Sequence, residues 1–336
     1  MRFGFIFLAR DLQAVGPIAK LGEEQGYDLI GIGDSPSLCH DPFVALAIAA
    51  QQTRRVRLGT GVTNPQTRHP LILANLAATL AGLAPGRTFL GLGIGNSGVR
   101  HANAAPATLG SLESTVDIVR RLMAGTAVDM GGSGIVVHAR GKQVPILLAC
   151  SGPRSLRQAG RIADVVLINV GFSPDVIADA MRWVREGAEA AGRDPAAIEA
   201  WVFGIGVIAD SREQALDEAI GPAVAIAAYV LRGDAAAKRI PPAVAAKVGQ
   251  LLREYQYGEH FVPGHTSNYH LAARLGITDY LLDRLTIAGT AEDCRGKIAA
   301  LREAGIHNLC FSFSGGPDPA RYVRRFGEEV LPAFAN

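Results

Sequence analysis

Short, almost wholly apolar runs recur along this chain, each followed by a segment with helical periodicity, and that alternation constrains the fold most. The runs are Phe3–Leu8, Tyr27–Gly33, Val56–Leu58, Thr88–Gly95, Val144–Cys150, Val165–Asn169, Trp201–Ala209 and Asn308–Phe313. A strand with one face in water alternates apolar and polar residues, whereas these runs do not, so both faces are covered. Strand–helix units repeated in this way within 336 residues predict a (β/α)8 TIM barrel. A doubly wound open sheet is the runner-up, supported by Gly93-Ile-Gly95-Asn-Ser-Gly98, but no acidic residue closes the next strand as a dinucleotide site requires.

The helices between the runs carry local start signals. Asp11 caps one through Glu24, and Asp41-Pro42 opens another through Gln51. Others are expected from Ser111 to Met123, Pro174 to Ala191 and Asp318 to Phe334, with Ser151-Gly152-Pro153-Arg154 starting the helix after the fifth strand. Asp129–Gly141 reads as a hairpin with Gly131–Gly134 at its tip. Residues 211–283 fit no strand–helix unit and read as a largely helical insertion after strand seven, dense in aromatic and His residues from Tyr255 to His270. The expectation is one domain spanning residues 1–336.

A net charge of +2 gives no electrostatic case for nucleic acid or an anionic membrane, which leaves a small molecule as the expected partner. Cys39, Cys150, Cys294 and Cys310 are far apart and form no metal spacing, as expected of buried thiols in a reducing compartment. Phe3–Leu8 is too short to span a membrane and no cleavage site follows it, so the chain is expected to be cytoplasmic. Barrels of this kind often pair through exposed helices, and a homodimer is expected.

In a barrel the carboxyl ends of the strands converge on one mouth. This sequence brings there Asp34, Ser35 and His40 after strand two, Thr60, Gly61, Val62, Thr63 and Asn64 after three, and Gly95, Asn96 and Ser97 after four. Ser151, Gly152, Pro153 and Arg154 follow strand five, Asn169 follows six, and Ser312, Ser314 and Gly315 follow the last. No Lys stands at a strand end for a Schiff base, no His–carboxylate cluster has metal spacing, and no Ser-His-Asp set is recognisable. A mouth rich in glycine, hydroxyls and amides suits a protein whose cofactor carries the hard chemistry.

Two readings stay open for several of these residues. Leu58–Pro70 is a ligand loop, where glycine lets a flat ring approach the backbone, or a tight turn holding nothing. Ser151–Arg154 is an anion site at a helix start, or Ser151 is an ordinary cap and Arg154 points to solvent. His40 meets a ligand or only precedes the Asp41-Pro42 cap, His69 starts a helix, and Arg100 and His101 lie in a mobile loop that covers the mouth or does nothing. His260, His265 and His270 lack ligand spacing and are expected to shape a pocket or lid.

Gly59-Thr-Gly-Val-Thr-Asn-Pro-x-x-Arg-His-Pro70, Ala78-Thr79-Leu80, Gly86-Arg87-x-x-Leu-Gly-Leu-Gly-Ile-Gly95, Ala149–Leu156, Ala163–Asn169 and Ile287–Cys294 resemble the bacterial luciferase-like superfamily, within it the methylenetetrahydromethanopterin reductase branch, which uses the deazaflavin coenzyme F420. The resemblance covers nearly the whole chain. It implies a barrel mouth that binds F420 or FMN, with a bulge at Gly61-Val62, often a non-prolyl cis peptide, behind the ring. Thr63 and Asn64 would reach the ring's polar edge, and Gly95–Ser97 with Ser151–Arg154 would take the cofactor's chain and phosphate. The branch carries an acidic residue in the first strand where this chain has Ile6, and often Asp where it has Asn96. The expected likeness is therefore in scaffold and cofactor, not in that substrate. The function expected is hydride transfer between F420 and a small organic molecule, with Asp34 and His40 as candidate catalytic proton donors and no metal. An FMN-dependent monooxygenase is the first alternative; a non-redox lyase, isomerase or phosphate-binding barrel is the second.

Overall fold

The protein is described by a computed structural model covering residues 1–130, 134–138, 141–315 and 318–335. Its main sheet contains nine strands. They are β1 (Arg2–Phe7), β2 (Leu29–Ile32), β3 (Arg57–Thr60), β4 (Thr88–Leu92), β5 (Ile146–Cys150), β6 (Val165–Ile168), β7 (Glu199–Ile208), β8 (Thr286–Gly289) and β9 (Asn308–Ser312). All but β8 close into a parallel ring: β1 to β6 pair in succession, β6 pairs with β7, β7 with β9, and β9 returns to β1. This is the (β/α)8 barrel, and every strand of the ring falls on an apolar run of the sequence.

Alternate side chains of β1 show how the ring is filled. Phe5 points outward, its ring 4.9 Å from that of Tyr27 and edge-on to it. It packs under Gly22 of helix α1 (Leu12–Glu24), where a Cβ would come within 2.7 Å of it. Ile6 points inward against Gly31 and Gly61. Strands that bury both faces leave few polar positions, which is why their hydrophobic pattern is continuous.

The strand β8 was not expected. β7 runs ten residues, and its lower half pairs with β6 (Glu199 with Val165, Val202 with Ile168). The upper half of the same edge pairs with β8 (Ile205 with Thr286, Ile208 with Gly289). β8 is four residues long between two helices, too short for a periodic signal, so only its partner defines it.

Helices α2 (Pro42–Gln52), α3 (Pro70–Leu83), α5 (Leu109–Ala124), α6 (Pro153–Ile162), α7 (Pro174–Ala190), α12 (Ala291–Glu303) and α13 (Pro319–Glu329) follow strands, as does the one-turn helix α4 (Ser97–His101). Asp11 and Asp41 cap α1 and α2, and His69 Nδ1 accepts from Leu71 N to cap α3. Two local expectations are corrected. Arg100 and His101 lie in α4 rather than in a loop, and the last helix ends at Glu329, with a separate turn at Leu331–Phe334. Between β7 and β8 the chain forms α8 (Arg212–Val230), α9 (Pro242–Glu254), α10 (Ser267–Leu275) and α11 (Thr278–Leu285). The hairpin is present as Val128–Asp129 paired with Gly134–Ile135; most of its expected tip lies outside the described residues.

Candidate active site

After β3 the chain turns across the end of the barrel and runs beside β4. Thr63 N donates to Gly91 O (2.9 Å), and Gly93 N donates to Thr63 O (2.9 Å). The Gly61–Val62 peptide is cis. Gly91 lies so close that a Cβ there would overlap the Thr60 carbonyl. The loop buries Thr60, Thr63 and Asn64, and leaves Gly61 and Val62 partly accessible. The reachable surface at Gly61 and Val62 is therefore apolar, with the Val62 side chain its only one.

The polar groups of this loop are committed to protein partners, within it and after β2. Thr63 donates from Oγ1 to Asp34 Oδ2 at 2.6 Å. Asn64 Oδ1 accepts from the amides of Gln66 and Thr67, each at 3.0 Å. Asp34 also accepts from Arg68 Nε at 2.6 Å and Nη2 at 3.1 Å. Arg68 in turn reaches Asp41 Oδ2 at 2.8 Å and lies over the Phe43 ring. Its two carboxylate partners hold its proton more tightly than an ordinary guanidinium does. Asp34 is thus an ionic anchor between the ends of β2 and β3. His40 is exposed on the rim, with its amide bonded to Ala9 O at 2.9 Å.

At the end of β4, Ile94 is exposed and Gly95 takes φ +90°, a conformation in which a side chain would strike Val99. Asn96 begins α4 without a side-chain cap bond. Ser97 Oγ lies 3.0 Å from Ser35 Oγ, joining the loops after β2 and β4.

At the ends of β5 and β6 the structure changes one reading. Gly152, not Ser151, caps α6, and Gly152 N donates to Ser155 Oγ at 3.2 Å. Pro153 sits in the first turn and Arg154 is exposed. The Ser151 carbonyl accepts from Lys238 Nζ at 2.8 Å. Asn169 is buried, its amide 3.5 Å from the Tyr229 hydroxyl and its Oδ1 without a partner. Burial and the nearby charge of Arg284 push the Lys238 ammonium down to about 8.

The segment between α9 and α10 reaches over to α4. His101 Nδ1 meets Ser37 Oγ, and its Nε2 donates to Tyr257 O at 2.8 Å. Arg100 lies 4.9 Å from the centre of the Tyr257 ring, whose hydroxyl accepts from Arg232 at 3.1 Å. Next to it, buried His260 is 2.6 Å from the Tyr255 hydroxyl and is held neutral, its pKa pushed down to about 3 by burial and then by His101. His260 therefore belongs to the aromatic packing of this segment.

A cavity of about 830 Å³ lies at the opposite end of the barrel, lined by Arg2, Met181, Glu199 and His307 among others, and none of the mouth residues borders it. Sequence reasoning placed Asp34, Thr63, Ser97 and Asn169 at the mouth but missed Arg68, Lys238 and Arg284. Arg68 stood in the quoted Asn-Pro-x-x-Arg-His-Pro pattern; Lys238 lies in the expected insertion and Arg284 one residue past its end, where no local signal marks them.

Comparison with known proteins fits this geometry. The pattern of the luciferase-like monooxygenase family matches residues 1–308. A 5,10-methylenetetrahydromethanopterin reductase of Methanolobus tindarius is 29% identical over 345 residues, covering 98% of this chain and all of that protein. The coenzyme F420-dependent tetrahydromethanopterin reductase of Methanopyrus kandleri shares the fold at TM-score 0.79, with 24% identity and 99% of each chain covered. The oxygenating part of a type II Baeyer–Villiger monooxygenase of Pseudomonas putida, solved with FMN, shares it at TM-score 0.67, with 19% identity, 99% of this chain and 98% of that one. With its family pattern running through all but the last strand and helix, the chain belongs to the luciferase-like monooxygenase family.

Proposed function

We propose that this protein is an oxidoreductase that transfers hydride between coenzyme F420 and a small organic substrate at the mouth of the barrel. The observation that carries this reading is the accessible, apolar Gly61–Val62 surface beside the glycines of β4, next to polar groups at the ends of β5 and β6. A flat ring fits against the first, and a polar, anionic tail fits the second. The F420-dependent enzyme of Methanopyrus kandleri, which shares the fold, lends support to the same cofactor.

When bound, the deazaflavin supplies the hydride chemistry, and the protein's part is orientation. Gly61 and Val62 would back the ring, and Gly95, Asn96 and Ser97 would line its flank. Ser151, Gly152, Pro153 and Arg154 would lie along the tail with Asn169. Asp34 is a positioning residue in this reading, since Thr63 and Arg68 occupy its oxygens. Both its oxygens accept hydrogen bonds in this ion pair, so it has no proton to give, and the rim residue His40 is the better placed donor of the two. Ile6 fills the space beneath Gly61 with an apolar side chain, which supports a substrate other than methylenetetrahydromethanopterin. The protein is proposed to work as a cytoplasmic homodimer; no helix among the described residues is long and apolar enough to cross a membrane.

Titrating the purified protein with F420 and with FMN, each oxidised and reduced, tests the reading by fluorescence. Tight F420 binding with weak FMN binding is expected. Selective binding of reduced FMN, followed by oxygen uptake, would favour the monooxygenase reading, to which the FMN-bound fold relative lends support. Binding of neither would reject both.

A further inference from the structure

Two cations are buried where β5 and β6 end, and neither has an acidic partner among the described residues. Lys238 is 7% exposed and donates from Nζ to the carbonyl oxygens of Ser151 (2.8 Å) and Val230 (2.6 Å), which leaves one ammonium proton. Arg284 is 3% exposed; it donates from Nη1 to the Tyr280 hydroxyl at 2.7 Å, and its Nε is buried without a partner. Its backbone is fixed to the turn after β6, where Phe172 N donates to Arg284 O at 2.7 Å. Asn169 at the end of β6 likewise keeps an unpartnered Oδ1.

A buried cation is costly unless a counter-charge meets it, and two near enough to repel cost more. Neutral acceptors fill only part of their donor capacity. Gly152 adds room, since a Cβ there would stand 4.0 Å from Lys238 Nζ.

We propose that Lys238 and Arg284 form a subsite for an oxyanion, a phosphate or carboxylate group, of a ligand bound at the barrel mouth. The missing counter-charge is then the ligand's own, and Arg284 contributes Nε to it as a charge-assisted donor. The inference rests on the mouth being the ligand site. It adds that the insertion between β7 and β8 recognises negative charge, whether the group belongs to the cofactor or to the substrate.

Inorganic sulfate is the probe, with its affinity read from thermal unfolding of the full chain against sodium chloride of equal ionic strength. Lys238→Met and Arg284→Met should each weaken sulfate binding by about ten- to a hundredfold, as loss of a hydrogen bond to a charged group implies. Lys238→Arg and Arg284→Lys should retain most of it. Repeating the titration at saturating F420 separates the sources: unchanged sulfate affinity assigns the oxyanion to the substrate, and competition assigns it to the cofactor. Sulfate affinity equal in wild type and both Met variants would overturn the proposal. Should the Met variants not fold, a wild-type crystal soaked in tungstate decides it: a tungsten peak bonded to Lys238 and Arg284 supports the subsite, and no peak there overturns it. Failure of F420 and FMN to bind would defeat the functional reading while leaving the sulfate result standing.

Discussion

Asp34 Oδ2 and Arg68 Nε stand 2.6 Å apart, and through this pair the end of β2 holds the start of α3 across the barrel mouth. The Asp34 side chain is 1% exposed and that of Arg68 16%, so water does little to screen them. Removing one partner leaves the other charge buried and uncompensated. Arg68→Met should therefore lower stability by about 3 kcal/mol in urea unfolding, and weaken F420 binding because Thr63 loses its fixed acceptor. A loss below about 0.5 kcal/mol would mean that the pair is no anchor.

The close approach of β4 to the loop makes a sharper steric prediction. Gly91→Ala forces a Cβ into the Thr60 carbonyl, and because the obstacle is backbone nothing can rotate away. A loss of about 2–3 kcal/mol is expected, with reduced cofactor affinity. Gly82, within α3, has open space beside it, and Gly82→Ala should stabilise by up to about 1 kcal/mol. Equal effects at the two positions would contradict the packing described.

His260 should make the fold acid-sensitive. Its ordinary pKa of 6.5 is pushed down to about 3 by burial, so the folded protein refuses a proton that the unfolded chain accepts between those values. Its contribution is fully present above pH 6.5 and is lost as pH falls toward 3, by about 2–4 kcal/mol. Chemical unfolding of wild type and His260→Gln between pH 7 and 4 measures it. The variant should show the shallower decline, and parallel curves would show that His260 is not the group responsible.

The His101 bridge ties the segment between α9 and α10 to the mouth. His101→Ala removes its bonds to Tyr257 O and Ser37, and should speed hydrogen exchange over residues 256–264 by about tenfold with little change in the barrel strands. Unchanged exchange there would show that the segment's other contacts hold it, among them Arg10 to Phe261 O, Arg232 to the Tyr257 hydroxyl and Asn268 to Gln256.

The barrel was legible in the sequence because strand burial on both faces writes itself into local composition, and because caps such as Asp11 and Asp41 act within three residues of themselves. The mouth was legible for the same reason, since order along the chain names each strand end. Legibility stopped where partners are distant. Asp34 looked like a free carboxylate until Arg68, 34 residues on, closed over it. Ser151 looked like a cap until Gly152 took that position and Lys238, 87 residues on, reached its carbonyl.

By itself, then, the sequence determined the ring of strands, the helix starts and the address of the mouth, all consequences of hydrophobic periodicity and short-range hydrogen bonding. Only the tertiary structure decided which charges are spent and which are left over. β8 needed its edge of β7 to exist at all, and Lys238 and Arg284 acquired their shared environment when α8–α11 folded back onto the ends of β5 and β6. Charge pairing depends on distances between residues far apart in the chain, and local pattern does not encode those distances.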